Sequence, residues 1–112
     1  MRDPNPILVF RCDGNVCGYM LYERKPRETI EITQFYTQRV PEVKVGSVLL
    51  QTLCVEEPDT KKVAVIPIAD AKSGYLTLCF KEEKNSCFLS LQGTNLNSWR
   101  HCENGNYPRY KI

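Results

Sequence analysis

Six cysteines and a single histidine are the residues of this sequence whose types could carry chemistry. The cysteines occupy positions 12, 17, 54, 79, 87 and 102, and His101 directly precedes the last of them. A Cys–His nucleophilic pair needs the two side chains to meet, with a third group that orients the base. Adjacent residues of a strand point to opposite faces, so His101 and Cys102 cannot form such a pair with each other. We therefore find no motif for cysteine catalysis.

A zinc site is the second chemistry that these residues could support. Cys12 and Cys17 are separated by four residues, and His101 with Cys102 would complete a set of four ligands. Structural zinc sites usually combine two short ligand pairs separated by a longer spacer. Two adjacent residues make a poor second pair, and we therefore expect no metal.

Other signatures of catalysis do not occur in the sequence. There is no phosphate loop, nucleophile elbow or dinucleotide fingerprint. The carboxylates fall in polar stretches beside lysines rather than in apolar surroundings. The sequence therefore predicts a protein that is not an enzyme and that holds no cofactor.

The cysteines could also form disulfides, because an even count in a chain of 112 residues permits three bridges. Six buried thiols are equally compatible with this count. Cys12 and Cys17 are the best-placed pair, since a four-residue turn over residues 13–16 would put them opposite each other. A tighter turn at Asp13 and Gly14 would instead pair Phe10 with Cys17. We keep a Cys12–Cys17 disulfide as a prediction, with both registers open.

The elements that must position these residues have the pattern of short strands. Turn signals recur about every 8–12 residues, the spacing of a sandwich or barrel, and no window has convincing helical periodicity. The segments with strand character are ILVF (7–10), TIEITQFYT (29–37), VKVGSVLLQTLCV (43–55), VAVIPI (63–68), YLTLCF (75–80) and CFLSLQ (87–92). We therefore predict an all-β fold, either β-trefoil-like or a small barrel or sandwich of short antiparallel strands. Residues 1–112 are predicted to form a single domain.

Charge and hydropathy exclude two classes of partner. Fifteen Lys and Arg against thirteen Asp and Glu give a net charge of +2, and the signs alternate along the chain. Such a surface does not favour nucleic acid. No window of about 18 apolar residues occurs, so we expect no membrane insertion. The start MRDPNPILVF lacks a signal peptide, which leaves a cytosolic chain, unconventional export, or a removed signal replaced by Met1.

The stretch from Val45 to Arg100 resembles the middle of an interleukin-1 family cytokine. The order of features is similar: SVLLQTLCV, the acidic loop EEPDTKK, VAVIPI, then the hairpin YLTLCFKEEKNSCFLSLQ and the segment NLNSWR. The hairpin is the most specific part of this resemblance. The resemblance implies a β-trefoil that acts outside cells by binding an immunoglobulin-like receptor, with its thiols reduced.

The resemblance also implies where receptor contacts lie. The loop with Glu56, Glu57 and Asp59 and the segment around Arg100 match receptor-contacting stretches by position. Trp99 is either a packing residue or an interface anchor, because Trp and Arg are enriched in binding hot spots. We therefore predict a secreted, cytokine-like protein that signals through a receptor or antagonises one. The alternative is a small secreted binding module stapled by disulfides, such as a host-interaction factor or inhibitor.

Overall fold

One mixed sheet with helices against it forms the architecture. A computed structural model describes residues 6–40, 43–68, 70–84 and 86–101. Within these ranges the strands are β1 (Ile7–Cys12), β2 (Asn15–Lys25), β3 (Thr29–Thr37), β4 (Lys62–Val65), β5 (Lys81–Glu82) and β6 (Leu89–Gln92). The helices are α1 (Val45–Glu56), α2 (Lys72–Thr77) and α3 (Thr94–Arg100). The predicted all-β fold, whether trefoil, barrel or sandwich, is therefore wrong.

The sheet contains one parallel pair within an otherwise antiparallel order. Its strands follow the order β1-β2-β3-β4-β6-β5. β3 and β4 run parallel, and the other neighbouring pairs run antiparallel. Parallel neighbours need a long crossover connection, which is usually a helix. α1 is that crossover, so β3, α1 and β4 form a βαβ unit.

α1 replaces the longest predicted strand, at residues 43–55. Its buried leucines are Leu49, Leu50 and Leu53, and Cys54 is buried beside them. These positions repeat at the three-to-four-residue spacing of one helix face. The segment looked strand-like because valine and threonine are frequent in it, yet burial of this one face decides the conformation. β-branched residues lower helix propensity only slightly, and tertiary contacts override that preference.

The other two helices also replace predicted strand and turn. Residues 72–77 form α2, which overlaps the start of the predicted strand YLTLCF, and residues 94–100 form α3, in the segment where no helix was predicted. The predicted hairpin survives only as the short pair β5 and β6, in which Lys81 faces Ser90. Cys79 lies before this hairpin, in a left-handed backbone conformation with φ of 74°. Cys79 and Cys87 are both free thiols.

The predicted strands at the start of the chain are confirmed. The pattern TIEITQFYT coincides with β3, and ILVF begins β1. Asp13 and Gly14 have φ of 51° and 82°, and positive values at both central residues are typical of the tight turn that matches strand twist. The turn chemistry of this dipeptide therefore sets the β1–β2 hairpin.

Among the described residues, no helix is long and apolar enough to cross a membrane.

Candidate functional site

The carboxyl end of the parallel pair is the first feature of the candidate site. β3 and β4 pair only from Thr29–Lys62 to Ile32–Val65, although β3 continues to Thr37. Ligands of open α/β sheets bind beyond the carboxyl ends of the strands, where neighbouring strands diverge. The last five residues of β3 therefore lie where such a crevice would open.

A β-bulge aims the end of β3 at α1. The register with β2 shifts between Leu21, which faces Gln34, and Tyr22, which faces Ile32. Thr33 is the extra residue, so the alternation of side chains changes phase beyond it. Phe35 and Thr37 then point to α1, as their distances to Gly46 show below. Without the bulge these two side chains would point to the other face of the sheet.

Five residues meet where β3 leads into α1, and we call this group the β3–α1 corner: Phe35, Thr37, Gly46, Tyr75 and Leu78. A Cβ placed on Gly46 would lie 3.6 Å from Thr37 Cγ2, 3.8 Å from Phe35 Cζ and 3.9 Å from Leu78 Cδ1. The ring of Tyr75 lies 5.9 Å from that of Phe35, edge to face. Thr37 is exposed and the other four are half-buried. The corner is thus a partly apolar surface reached from solvent.

The first turn of α1 presents free amide groups beside this corner. Its first backbone hydrogen bond runs from Val48 N to Lys44 O, at 3.0 Å. The amides of residues 45–47 precede that bond and have no partner within the helix. No side chain among the described residues caps them. Amides at a helix start, together with the helix dipole, attract anions such as phosphate.

Gly18 fixes where the first turn of α1 lies. A Cβ on Gly18 would stand 2.5 Å from Val45 Cγ1, 2.9 Å from the Tyr36 carbonyl oxygen and 3.2 Å from Leu49 Cδ1. Only a residue without a side chain permits this approach of helix and strand. The position of the free amides therefore depends on Gly18.

Two cationic residues flank the first turn of α1. Arg39 lies in the connection from β3, Lys44 directly precedes the helix, and both are exposed. Val40 and Val43 pair as an isolated bridge within this connection, which brings its two ends together. The segment therefore combines backbone amide donors with positive charge, the chemistry that suits a phosphate group.

The opposite end of α1 carries a closed set of polar contacts. Glu57, directly after the helix, accepts hydrogen bonds from Arg24 Nε and Nη2 at 2.8 Å each and from Tyr22 Oη at 3.0 Å. The Arg24 guanidinium holds the pKa of Glu57 below its usual range, and Tyr22 adds to this effect. Burial and the bond to Glu57 raise the pKa of Tyr22 to about 12. Glu57, predicted from the resemblance to contact a receptor, thus ties α1 to β2.

The neighbouring acidic residues of the predicted receptor loop lie on the surface. Glu56 and Asp59 are exposed on either side of Glu57 and Pro58. They do not join the β3–α1 corner, which lies at the other end of α1. The structure therefore separates the predicted acidic residues from the candidate site.

Trp99 and Arg100 are structural residues of α3 rather than an exposed pair. Trp99 is fully buried, and its indole N–H donates to the Leu78 carbonyl at 3.0 Å. Arg100 donates to the Thr60 carbonyl and, at 3.0 Å, to Asn97 Oδ1. Of the two interpretations of Trp99, packing agrees with its burial. The bond to Leu78 also supports the segment that closes the β3–α1 corner.

The cysteines and the histidine do not assemble into a metal or nucleophile site in the described part of the chain. No group of three or more His, Cys, Asp and Glu side chains is placed to hold a metal among these residues. Cys12 and Cys17 are free thiols in the β1–β2 hairpin, and a bridge between them stays a prediction. His101 ends the described range, and Cys102, named with it in the zinc hypothesis, lies outside the described residues.

Comparison with solved structures gives the fold a family of neighbours. A protein assigned as a streptothricin acetyltransferase from Bacillus anthracis, solved with acetyl coenzyme A, matches with a TM-score of 0.65 at 13% identity, over 83% of this chain and 65% of its own. A GNAT-family acetyltransferase from Staphylococcus aureus matches at 0.60 and 13%, over 75% and 65%. A ribosomal-protein-alanine N-acetyltransferase from Brucella melitensis matches at 0.54 and 20%, over 79% and 68%.

The fold is that of the GNAT acetyltransferases. This chain spans about 65% of the length of the Bacillus and Staphylococcus proteins. No protein-family profile matches the sequence, and no curated protein matches it. At these identities the likeness establishes the shared fold.

These neighbours correct the functional predictions. The interleukin-1 resemblance is wrong, because the matching structures are acetyltransferases with a mixed sheet and not β-trefoil cytokines. The same structures contradict the predicted cytokine function and the alternative of a secreted module stapled by disulfides. They also contradict the immunoglobulin-like receptor as a partner. The prediction that the chain is not an enzyme is contradicted by the same neighbours. Secretion and the single domain stay predictions, which these findings do not test.

The residues that sequence reasoning missed are those of the β3–α1 corner. One signal could have found them: TIEITQFYT is followed within eight residues by VGSVLL, whose apolar positions continue at helical spacing. A strand that leads through a short connection with a glycine into a helix is typical of anion-binding sites. The valines and threonines of the segment obscured this pattern.

Proposed function

We propose that this chain binds acetyl-CoA at the β3–α1 corner and transfers the acetyl group to an amine. The observation that carries the proposal is the uncapped first turn of α1, which follows the strand of the sheet's parallel pair. The fold is shared with a protein solved with acetyl coenzyme A and with an N-acetyltransferase. Together these observations favour acyl transfer over other functions.

The residues present fit the chemical groups of acetyl-CoA. Its pyrophosphate is an anion, and the amides of residues 45–47 with Arg39 and Lys44 are suited to hold it. Its pantetheine arm is largely apolar, and Phe35 and Leu78 offer an apolar wall beside these amides. The fit differs from a glycine-rich phosphate loop, because Gly46 is the sole glycine of segment 38–47. Backbone approach to the ligand is therefore expected at Gly46.

When bound, acetyl-CoA supplies an activated thioester whose acetyl group can pass to an amine. The chain's own contribution is to hold the phosphates at α1, to align the arm along β3 and to provide a proton. Tyr75 is suited to the last task. Its Oη carries a proton at neutral pH, as an ordinary phenol does, and burial raises its pKa further. A leaving thiolate needs such a donor, and the ring of Tyr75 lies against Phe35 in the corner.

Calorimetric titration of the full chain with acetyl-CoA tests the binding half of the proposal. We expect Arg39→Glu and Lys44→Glu each to weaken binding by about tenfold, because each reverses a charge beside the phosphates. The matched control is Arg27→Glu, an exposed arginine in the turn between β2 and β3. It makes the same charge change at the other end of the sheet and should leave affinity unchanged. No binding by the folded wild-type chain, or equal losses in all three variants, would overturn the proposal.

Release of the CoA thiol from acetyl-CoA, in the presence of a peptide with a free α-amino group, tests the transfer half. Tyr75→Phe should slow this release by about 10²-fold, in the range typical of a lost general acid. Its affinity for acetyl-CoA should stay that of the wild type. Full activity in a Tyr75→Phe chain would remove this tyrosine from the mechanism while leaving the binding site in place.

A further inference from the structure

The β1–β2 hairpin contains a second irregularity, which falls on one of its two cysteines. The tight turn at Asp13 and Gly14 pairs Cys12 with Asn15. The register then shifts, because Arg11 faces Val16 whereas Phe10 faces Gly18. Cys17 is therefore the extra residue of a β-bulge, in neither of the two registers that the sequence left open.

Cys17 lies in the core, on the same face of the hairpin as Cys12. Cys17 is 4% exposed, whereas Val16 beside it is 40% exposed. Cys12 is half-buried and packs against the same hydrophobic cluster. Both thiols therefore lie on the core face of the hairpin, and Cys17 follows Asn15, the residue opposite Cys12, by two positions.

The Cys17 thiol donates to the Asn15 carbonyl at 3.6 Å, and Asn15 is the residue that faces Cys12. A hydrogen bond with the Cys17 side chain is the largest of the causes that raise the pKa of the Cys12 thiol, followed by burial. The other described cysteines near the surface lie elsewhere: Cys79 follows α2, and Cys87 lies in the loop between β5 and β6. Cys17 is thus the partner that the fold offers to Cys12.

We propose that Cys12 and Cys17 form a redox-active dithiol that closes to an intrachain disulfide across the β1–β2 hairpin. Cys12 is the more exposed thiol and reacts first, and buried Cys17 then resolves the intermediate. The bridge closes a short loop within one hairpin, so it needs no rearrangement of the sheet order. Disulfide formation does not require acetyl-CoA to be bound.

The chemistry balances as two successive thiol–disulfide exchanges with a small disulfide such as oxidised glutathione. The Cys12 thiolate attacks one sulfur of the reagent, and the S–S bond of the reagent breaks to release one glutathione thiolate. The Cys17 thiolate then attacks Cys12 Sγ, forms the protein disulfide and expels the second glutathione. Two electrons pass from the protein to the reagent, and the two thiol protons end on the two released glutathiones.

The environment of Cys12 sets how fast this happens. Because the thiolate is the nucleophile and its pKa is raised, only a small fraction is reactive at neutral pH. We therefore expect the rate of closure to rise by about tenfold per pH unit between pH 7 and 8.

The test incubates the full wild-type chain with graded ratios of reduced and oxidised glutathione, then quenches, alkylates and digests it with trypsin. Cleavage after Arg11 and Arg24 yields peptide 12–24, which contains both cysteines. We expect an unalkylated form of this peptide, lighter than the dithiol by about 2 Da for the two hydrogens lost. It should accumulate with the oxidised fraction and disappear with dithiothreitol.

Two variants make the result decisive. A chain with both Cys79→Ser and Cys87→Ser should form the lighter peptide at the wild-type ratio, because neither residue takes part. A Cys12→Ser chain should never form it. The proposal is overturned if wild-type peptide 12–24 carries two alkyl groups or separate glutathione adducts under conditions that oxidise Cys87. It is equally overturned if Cys12 is found bridged to a cysteine outside this peptide.

Discussion

The two ends of α1 are built in opposite ways. At its carboxyl end Glu57 receives three hydrogen bonds from Arg24 and Tyr22, and the half-buried carboxylate is fully engaged. At its amino end the amides of residues 45–47 have no side-chain cap, and the glycine there faces a half-exposed corner. We call the carboxyl end of α1, where Glu57 is hydrogen-bonded, the closed end. We call the amino end, where the amides of residues 45–47 have no side-chain cap, the open end.

Under the proposed function, the amino end of α1 forgoes a stabilising cap and keeps its amides available to the ligand. A capping side chain at a helix start typically contributes about 1 kcal/mol, and α1 does without it. The charged network at the other end fixes the helix to β2 instead. Changes at the closed end should therefore alter stability without altering ligand binding, whereas changes at the open end should alter ligand binding.

Gly18→Ala is expected to have the largest effect, because it displaces the open end. Its new methyl group would meet Val45 Cγ1 at 2.5 Å and the Tyr36 carbonyl oxygen at 2.9 Å. Overpacking of this kind costs about 1–3 kcal/mol, which urea denaturation would detect. Acetyl-CoA affinity should fall with it. The control is Gly74→Ala in α2, where a methyl group meets nothing within 4 Å; equal stability of the two variants would refute the role of Gly18.

Glu57→Ala breaks the closed end and should cost about 1–3 kcal/mol, because it removes the carboxylate to which the buried Tyr22 hydroxyl donates and which Arg24 binds. Its neighbour Glu56 is exposed, so Glu56→Ala should stay within about 0.5 kcal/mol of the wild type. Both variants should bind acetyl-CoA as the wild type does. Equal stability losses at these adjacent glutamates would show that the network contributes nothing.

The hydrogen bonds of Glu57 at the closed end should make the free energy of unfolding depend on pH. Glu57 has a lowered pKa, so its contribution is present above its ordinary value of 4.5 and is lost as the pH falls through the lower folded value. Tyr22 has its pKa raised from 10.0 to about 12, so its contribution is complete below pH 10 and is lost between pH 10 and 12. Tyr22→Phe should abolish the alkaline loss and keep the acid one, as measured by urea midpoints across pH. If the Tyr22→Phe variant still lost stability between pH 10 and 12, a group other than Tyr22 would be the cause.

Gly46→Ala should have the smallest effect on stability, and a favourable one of up to about 1 kcal/mol, because alanine favours helix over glycine. The methyl group finds ordinary contacts of 3.6–3.9 Å in the corner. It would nevertheless occupy space where the backbone must approach the ligand. A rise in melting temperature together with weaker acetyl-CoA binding is the expected pair of results, and unchanged affinity would move the ligand away from Gly46.

Sequence reasoning recovered the elements whose conformation is set locally. The Asp13–Gly14 turn and the alternation of TIEITQFYT depend on residues within a few positions of each other. The strand was predicted with its bounds, and the tight turn was one of the two turns that the sequence left open. α1 was missed because its residues suit a strand locally, and only burial of Leu49, Leu50 and Leu53 against the sheet decides for a helix. The parallel pairing of β3 with β4 could not be predicted while α1 was taken for a strand.

The candidate site depends on features that leave almost no trace in the sequence. The bulge at Thr33 aims Phe35 and Thr37 at α1, and nothing in TIEITQFYT marks that position. The free amides at the start of α1 are backbone groups, so no residue type reports them. The search for cysteine, histidine and acidic motifs therefore passed over the site, and the resemblance drawn from residues 45–100 pointed to the wrong family.

Amide chemical shifts recorded during an acetyl-CoA titration of the ¹⁵N-labelled chain test the central claim most directly. Phosphate binding at the open end of α1 predicts that the amides of Val45, Gly46 and Ser47 shift most, with saturation at one affinity. The amides of residues 54–57 at the closed end should stay in place. Saturable shifts confined to the closed end, or no shifts at residues 45–47 while the ligand is bound, would contradict the account.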